Sequence, residues 1–391
     1  MYIVHLGYSG FPGGSSTMKR ILLTFKAIKS GAYTPLIINK YSYHRIENAT
    51  RIARFQGVPF INTSPSGSRP DSLLWRNLNK ILGFFGEFLL LIKKRKKIRT
   101  AIFYGSSILE LIYYRLLSKI LNFKLVIHYV EFRSEVPERK HTSKQINDRL
   151  FDKYCIRLCD GAIVISEYLK NYVLKQKNTI PILKIPAICD FDEFRKSEYG
   201  DNSQYLMYCG GIMYLSVIEF VLDLYIELQK NNLYNGNLLL AIGGGENQVS
   251  GFERLREVIH TSGFEEKIKL MRDVPHNDLI SLYCNSELLI VPLRNTIQDI
   301  AGFHHKVGEY CASGKPIIST NLAEMNYYFE DDVSAILASD YSVESYTKRL
   351  AGIMTDKEKL SKIGKEGFTV GMTHLNYKNY VSILDKYLFS I

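Results

Sequence analysis

Residues 304–320 read HHKVGEYCASGKPIIST, a helical stretch followed by a turn of small residues and an apolar run. An apolar run directly after a helix is typical of a strand in a parallel sheet. Lys306 and Glu309 are three residues apart, so they share one face of the predicted helix. A surface ion pair would explain them, but acid before base is the favoured order, and an early lysine opposes the helix dipole. A second interpretation is therefore that an anionic ligand lies against the lysine.

The same alternation of short apolar strands and longer helical stretches extends along the chain and predicts an α/β protein with parallel sheets. The predicted strands are MYIVHLGY, TPLIINK, AIFYG, FKLVIHYV and GAIVIS in the first half, and YLMYCGG, NLLLAIGGG, KIKLMRD, ELLIVPL, KPIIST and SAILA in the second. The sequence becomes polar and rich in turn residues over 181–204, where we place the domain boundary. We expect two doubly wound domains, 1–197 and 198–375, and a C-terminal helix over 376–391 that packs back on the first.

Length and composition agree with two globular domains. The 391 residues exceed the ~250–300 at which a single core stops growing, and 46 % of them are hydrophobic. The six cysteines are too scattered for a disulfide scaffold and have no partners at zinc spacing, so we expect a reducing compartment and no metal. The first residues indicate a strand rather than a signal peptide, and no apolar stretch reaches the ~18 residues of a membrane span.

The excess of positive charge is concentrated in one segment. The net charge is +11, and from Arg76 to Arg99 there are eight basic residues against one acid, Glu87. Three interpretations are open: an anionic membrane surface bound through residues 81–99, a buried helix with a solvated basic end, and a nucleic-acid patch. The apolar bulk beside the charge favours the membrane. No nucleic-acid motif is present, so we expect no nucleic-acid partner.

In open parallel sheets, ligands bind beyond the carboxyl ends of the strands. In the first half of the chain, polar residues and glycines stand at these positions. The first strand is followed by GYSGFPGGSST, whose backbone N–H groups could hold an anion, although a simple tight turn is the alternative. This loop contains Gly13 and Gly14 and matches neither GxGxxG nor GxxxxGK[ST]. His128 and Glu131 stand at the end of the fourth strand, FKLVIHYV, in the sequence HYVEFRSE.

The second-half strands end in glycines and cations. Gly210 and Gly211 follow one strand, and Arg272 and Arg294 follow two others. Together with Lys306 these cations would line one wall of a cleft between the domains, which would suit a phosphate-bearing ligand.

The order of these motifs resembles that of GT-B glycosyltransferases, most closely the retaining family 4 group, also called glycosyl transferases group 1. The segments that carry the resemblance are LLLAIGGGENQ, KIKLMRDVPHNDLISLYCNSELLIVPL and HKVGEYCASGKPIIST in the second half, and CDGAIVISEYLKNYV and KIPAICDFDEF in the first. The resemblance implies two Rossmann-like domains facing across a cleft. It implies a retaining hexosyltransferase that moves a sugar from a nucleoside-diphosphate sugar to a glycan or lipid-linked glycan. We then expect surface polysaccharide or glycoconjugate synthesis, in the cytoplasm or on the inner face of the membrane, without a metal or other cofactor.

The resemblance also implies residue roles. Glu309 would accept hydrogen bonds from the nucleotide ribose, and Lys306 would stabilise the departing diphosphate. Gly13, Gly14, Gly210, Gly211, Arg272 and Arg294 would complete the nucleotide-sugar site. His128 or Glu131 would contact the sugar or the acceptor hydroxyl, which makes them candidate catalytic residues together with Lys306.

Three positions depart from the pattern of the resembled group. Ala301 stands where a first glutamate is common, and Gly211 and Ser216 stand where an arginine and a lysine are common. The missing cations favour one alternative, a non-catalytic GT-B subunit that binds a glycan or a partner protein. A sugar-nucleotide epimerase of the same fold is a further alternative.

Overall fold

The structure is a computed structural model that describes residues 1–13, 15–29, 31–41, 51–135, 142–196, 204–244 and 248–391. It divides into two compact units, one made of Met1–Pro186 with Tyr377–Ile391 and one made of Ala187–Asn376. The domain boundary predicted between residues 197 and 198 lies outside the described residues. Within the described ranges, no helix is both long and apolar enough to cross a bilayer.

The first unit is built on an eight-stranded sheet. Its strands are β1 (Tyr2–Gly7), β2 (Thr34–Asn39), β3 (Ile52–Phe55), β4 (Val58–Asn62), β5 (Ile98–Tyr104), β6 (Lys124–Tyr129), β7 (Gly161–Val164) and β8 (Ile182–Lys184). Its helices are α1 (Ser16–Lys29), α2 (Leu73–Lys94), α3 (Ile108–Leu121), α4 (Thr142–Tyr154), α5 (Glu167–Gln176) and, at the C-terminus, α14 (Val381–Ser390). The strand order is β3-β4-β2-β1-β5-β6-β7-β8.

Every strand pair in the first sheet is parallel except β3 with β4. The central strands are buried along almost their whole length because a parallel sheet is covered on both faces. The hairpin of β3 and β4 was not predicted. It turns through Gln56 and Gly57, both with positive φ, whereas the turn signal sought in a sequence is Asn-Gly or Asp-Gly.

Helix α14 lies in the first unit although it is last in the sequence. The side chain of Asp385 accepts a hydrogen bond from the backbone N–H of Ala32 at 3.0 Å. The hydroxyl of Tyr387 donates to the carbonyl oxygen of Ala162 at 3.0 Å. The C-terminal segment is thus held by an exposed hydrogen bond to the loop before β2 and by a buried one to strand β7.

The second unit is built on a six-stranded, wholly parallel sheet. Its strands are β9 (Tyr205–Gly211), β10 (Asn237–Gly243), β11 (Ile268–Arg272), β12 (Leu288–Val291), β13 (Ile317–Thr320) and β14 (Ile336–Ala338). Its helices are α6 (Leu215–Lys230), α7 (Val249–Thr261), α8 (His276–Asn285), α9 (Ile297–Ala301), α10 (His305–Ser313), α11 (Ala323–Tyr328), α12 (Val343–Ala351) and α13 (Lys357–His374). All six strands coincide with predicted ones.

The strand order of the second sheet is β11-β10-β9-β12-β13-β14. Numbered from β9, this is 3-2-1-4-5-6, the order of a dinucleotide-binding doubly wound fold. The chain moves outward from β9 in one direction and then returns to continue from β12 in the other. In sheets with this strand order, ligands bind beyond the carboxyl ends of the two strands at which the order reverses, here β9 and β12.

Candidate active site

The carboxyl edge of the second sheet carries four of the predicted site residues. Gly210 and Gly211 end β9, Arg272 ends β11, and Arg294 lies three residues beyond the end of β12. The six strands are parallel and adjacent, so these residues all lie at one edge of the sheet. The topology thus brings together residues that are far apart in the sequence.

The two glycines of β9 have different surroundings. A Cβ at Gly210 would lie 2.4 Å from the hydroxyl oxygen of Tyr208, so packing excludes a side chain there. A Cβ at Gly211 would have its nearest neighbour, the Cγ atom of Met213, at 3.7 Å, which is ordinary contact. Gly211 has a φ of −101°, so its backbone is also open to other residues. The missing cation at this position is therefore not imposed by the fold.

Lys306 and Glu309 lie on the first turns of α10 and share one face of it, as predicted. The Nζ atom of Lys306 lies 3.3 Å from the Oε2 atom of Glu309 and donates to the hydroxyl of Tyr283 at 2.9 Å. The side chain of Glu309 is 7 % exposed and that of Lys306 is 30 % exposed. Burial alone would lower the pKa of Lys306, but the carboxylate of Glu309 and the neighbouring Cys209 outweigh it and raise the pKa above 10.5. Lys306 is therefore a cation throughout the physiological range.

Two buried tyrosines fix the position of this pair, and the sequence did not reveal their role. The rings of Tyr283 on α8 and Tyr310 on α10 meet edge to face, with centroids 5.0 Å apart. The hydroxyl of Tyr310 accepts a hydrogen bond from the backbone N–H of Cys209 at 3.1 Å. These contacts connect α8, α10 and β9, so Glu309 stands beside the end of the central strand. From the sequence alone, both tyrosines would be expected to be ordinary core residues.

Arg294 is committed to an internal ion pair. Its guanidinium donates to both carboxylate oxygens of Asp299, at 3.0 and 3.1 Å, and to the Oε1 atom of Gln298 at 3.1 Å. The backbone N–H of Arg294 donates to the same carboxylate at 2.8 Å. Thr296 caps α9 by accepting from the N–H of Asp299 at 3.3 Å. The ion pair holds the loop after β12, and it neutralises the positive charge of Arg294 that was predicted to bind a phosphate.

Arg272 is likewise paired. Its Nε atom lies 3.0 Å from a carboxylate oxygen of Asp273, and its guanidinium lies over the ring of Phe252 at 4.5 Å from the centroid. The other oxygen of Asp273 accepts from the backbone N–H of Gly244 at 2.9 Å. Each of the three cations predicted in this unit thus has a carboxylate partner. A diphosphate would compete with these carboxylates.

His128, in the first unit, is 5 % exposed and lies near the end of β6. The Nε atom of Arg20, on α1, donates to its Nε2 atom at 2.7 Å. His128 therefore accepts through Nε2, which assigns the ring proton to Nδ1. Arg20 is fully buried and also donates to the carbonyl oxygens of Ile185 and Pro186, each at 2.6 Å. Sequence reasoning missed Arg20, because a buried arginine in an apolar helix has no distinguishing spacing.

Two further first-unit predictions, Glu131 and Gly13, follow strands β6 and β1 at the same edge of the first sheet. Glu131 forms an ion pair with Arg133 at 2.5 Å. Burial would lower the pKa of Arg133, but the carboxylate of Glu131 raises it. Gly13 is half-buried between β1 and α1, and Gly14 lies outside the described residues. Among the described residues, no three His, Cys, Asp or Glu side chains converge as a metal site requires.

Comparison with known proteins identifies the class of the fold. Residues 190–370, just under half of the chain, match the family model described as Glycosyl transferases group 1. No curated protein matches the chain. Sucrose-phosphate synthase from Thermosynechococcus elongatus is a structural neighbour with 15 % identity and a TM-score of 0.77, covering 100 % of this chain and 99 % of that one.

Two further solved structures are similar over the whole chain. HepE from Anabaena, solved in complex with UDP and glucose, has 13 % identity and a TM-score of 0.71 and covers 100 % of both chains. A glycosyltransferase from Rickettsia africae has 14 % identity and a TM-score of 0.68, covering 99 % of this chain and 97 % of that one. The fold is GT-B, made of two Rossmann-like units. The resemblance to group 1 glycosyltransferases that the sequence motifs indicated is confirmed.

Proposed function

We propose that this chain is a glycosyltransferase that takes a sugar from a nucleoside-diphosphate sugar. The observation that carries the proposal is the group 1 match over 190–370, which includes the α10 helix with Lys306 and Glu309. A buried carboxylate beside the end of a central strand is a suitable acceptor for ribose hydroxyls. The similar HepE structure holds UDP and glucose, which supports a uridine nucleotide as the first ligand to test.

The proposed roles are those that the resemblance to group 1 glycosyltransferases implies. Glu309 accepts from the ribose, and Lys306 offers positive charge to the leaving diphosphate, whose negative charge grows as the glycosidic bond to the sugar breaks. The backbone N–H groups at Gly210 and Gly211 lie at the sheet edge where a phosphate would meet them. In the first unit, His128 presents a neutral ring held by Arg20, and His128 or Glu131 contacts the sugar or the acceptor hydroxyl.

The finer part of the proposal concerns the reaction and its setting. We expect transfer with retention, because the resembled group is a retaining one. We expect no metal, because cationic side chains and N–H groups would stabilise the leaving group in its place. The acceptor is a glycan or a lipid-linked glycan, in the synthesis of surface polysaccharide or glycoconjugates. The proposed location is the cytoplasm or the inner face of the membrane.

A two-part experiment tests the proposal. First, a thermal-shift screen with uridine and guanosine diphosphates and their sugar conjugates should give an upward shift, since a ligand at 100 times its Kd adds about 2.7 kcal/mol to stability. Second, radiolabelled sugar from the stabilising conjugate should be released or transferred by the wild-type chain. Lys306→Ala should abolish turnover, while Lys362→Ala, at an exposed position of α13, should leave it unchanged. Turnover that survives Lys306→Ala would contradict the proposed role.

A non-catalytic GT-B subunit remains the second candidate, and one observation favours it. Gly211 and Ser216 provide no cation, and Arg272, Arg294 and Lys306 already have carboxylate partners. Such a subunit would give no thermal shift with any sugar nucleotide and no turnover. An epimerase would instead convert the sugar nucleotide without an acceptor, which product analysis would detect.

A further inference from the structure

Helix α2 has its apolar residues on the outside. Its buried face is small: the buried residues are Asn79, Gly83, Glu87 and Leu91, and only the last has an apolar side chain. Its exposed face carries nine large apolar residues, with exposed fractions from 37 % at Leu78 to 77 % at Leu74. They are Leu73, Leu74, Trp75, Leu78, Ile81, Leu82, Phe84, Phe85 and Leu89. A surface helix normally has the opposite arrangement.

Close backbone contacts fix this orientation. A Cβ at Gly83 would come within 1.8 Å of the carbonyl oxygen of Lys40, so α2 lies directly against the end of β2. The hydroxyl of Thr63 donates to the carbonyl oxygen of Gly83 at 2.7 Å. The hydroxyl of Tyr114, on α3, donates to the buried carboxylate of Glu87 at 2.8 Å. Rotating α2 to bury its apolar face would break all three contacts.

The exposed face continues onto α3. The rings of Phe84 and Tyr113 lie with centroids 4.6 Å apart, so the two helices are side by side. The exposed apolar residues of α3 follow a helical spacing of three and four and form one stripe: Leu109, Ile112, Leu116 and Ile120. The two stripes place thirteen large exposed apolar residues on neighbouring helices, whereas a monomer normally exposes such residues singly.

The charge beside this apolar surface identifies its partner. The C-terminal end of α2 and the following 3₁₀ turn carry five basic residues: Lys93, Lys94, Arg95, Lys96 and Lys97. Glu87 is the only acidic residue over 73–97, and it is fully buried. The exposed part of this segment is thus apolar and positively charged. An anionic bilayer is complementary to it, because negatively charged headgroups cover an apolar interior.

We propose that α2 and α3 dock the first unit on an anionic phospholipid bilayer. The apolar side chains enter the boundary between headgroups and acyl chains, and the basic cluster pairs with lipid phosphates. The surface extends beyond residues 81–99, because the exposed apolar side chains begin at Leu73 and include α3. It depends on no part of the nucleotide site, so it stands or falls independently of the proposed transferase activity.

The chain provides its own probe, since Trp75 is its only tryptophan and is exposed on α2. With vesicles of phosphatidylcholine and phosphatidylglycerol at low salt, Trp75 emission should shift to the blue and be quenched by brominated acyl chains. Vesicles of phosphatidylcholine alone, or added salt, should weaken the binding strongly. The proposal would be overturned if Trp75 emission did not change and the protein did not float with the vesicles. Equal binding to both vesicle types that does not depend on salt would overturn it as well.

Two pairs of matched variants separate the apolar and charged parts. Leu74→Asp with Leu89→Asp should lower the partition coefficient at least about tenfold, whereas Val249→Asp with Val333→Asp, at exposed apolar positions of the second unit, should not. Lys96→Glu with Lys97→Glu should lower binding to anionic vesicles at least about thirtyfold, whereas Lys362→Glu with Lys365→Glu on α13 should not. Equal effects of test and control variants would refute the proposed surface.

A competing occupant is a second copy of the chain. Analytical ultracentrifugation without lipid, over a range of concentrations, decides this point. A monomer is expected. The membrane proposal would be overturned by a dimer that the double variant Leu74→Asp with Leu89→Asp dissociates, if lipid also left the Trp75 emission of that dimer unchanged. The surface would then be assigned to self-association.

Discussion

Glu87 should make the first unit less stable as the pH rises, and replacing it with glutamine should remove that dependence. Burial raises the pKa of Glu87 to about 7 from its ordinary 4.5, against the opposing effects of Lys40 and of the hydrogen bond from Tyr114. The folded state thus holds the proton more tightly than the unfolded state. The stabilisation is complete below pH 4.5 and is lost as the pH rises through 7.

The size of the effect follows from the separation of the two pKa values. One unit corresponds to about 1.4 kcal/mol, so ionising Glu87 costs roughly 3 kcal/mol once the pH is well above 7. A constant offset is expected for Glu87→Gln, because one carboxylate oxygen of Glu87 has no hydrogen-bond partner among the described residues, and the amide group that replaces it would be equally unpaired. The difference in unfolding free energy between Glu87→Gln and wild type should therefore rise by about 2–3 kcal/mol from about pH 5 to about pH 8.5.

Hydrogen exchange at increasing urea concentration measures this quantity, with peptides from α3 and β5 reporting on the first unit alone. Glu135→Gln, at an exposed position of the same unit, is the matched control and should follow wild type at every pH. The interaction of Lys40 with Glu110 persists in the variant, so the buried ammonium keeps one partner. A difference between Glu87→Gln and wild type that does not change with pH would refute the reasoning.

Two further predictions concern the site and its support. Gly211→Arg with Ser216→Lys should strengthen UDP binding about 10- to 100-fold in calorimetry, because a charged hydrogen bond contributes about 1.5–3 kcal/mol and Gly211 has room for a side chain. Unchanged affinity would mean that the diphosphate does not lie at the end of β9. Arg20→Met should lower the unfolding free energy of the first unit by at least about 3 kcal/mol, since it removes the donor to His128 and to two buried carbonyls. Arg157→Met, at an exposed position, is the control, and equal stability of the two variants would contradict those contacts.

The order of strands and helices was readable from the sequence because parallel sheets impose continuous apolar runs. All six strands of the second sheet were predicted, including the short β14. The strands that were not predicted lack such a continuous apolar run. The hairpin of β3 and β4 has an exposed first strand and an unusual turn at Gln56, and β8 is only three half-buried residues long.

Contacts between distant side chains could not be read from the sequence. The spacing of Lys306 and Glu309 predicted one shared face, and the distance of 3.3 Å between them agrees. The sequence did not indicate that Tyr283 would accept a hydrogen bond from Lys306, nor that Asp299 would form an ion pair with Arg294. Similarly, the basic and apolar residues of α2 were evident, but its orientation depends on the contact of Gly83 with β2, which only the fold reveals.

The most direct test of the central claim is calorimetric titration of UDP into wild type, Glu309→Gln and Glu366→Gln, the last at an exposed position of α13. Wild type and Glu366→Gln should bind with the same Kd, and Glu309→Gln should bind about 10- to 100-fold more weakly, because a ribose hydroxyl loses a charged acceptor. The same Kd in all three proteins would place the nucleotide away from α10 and contradict the account.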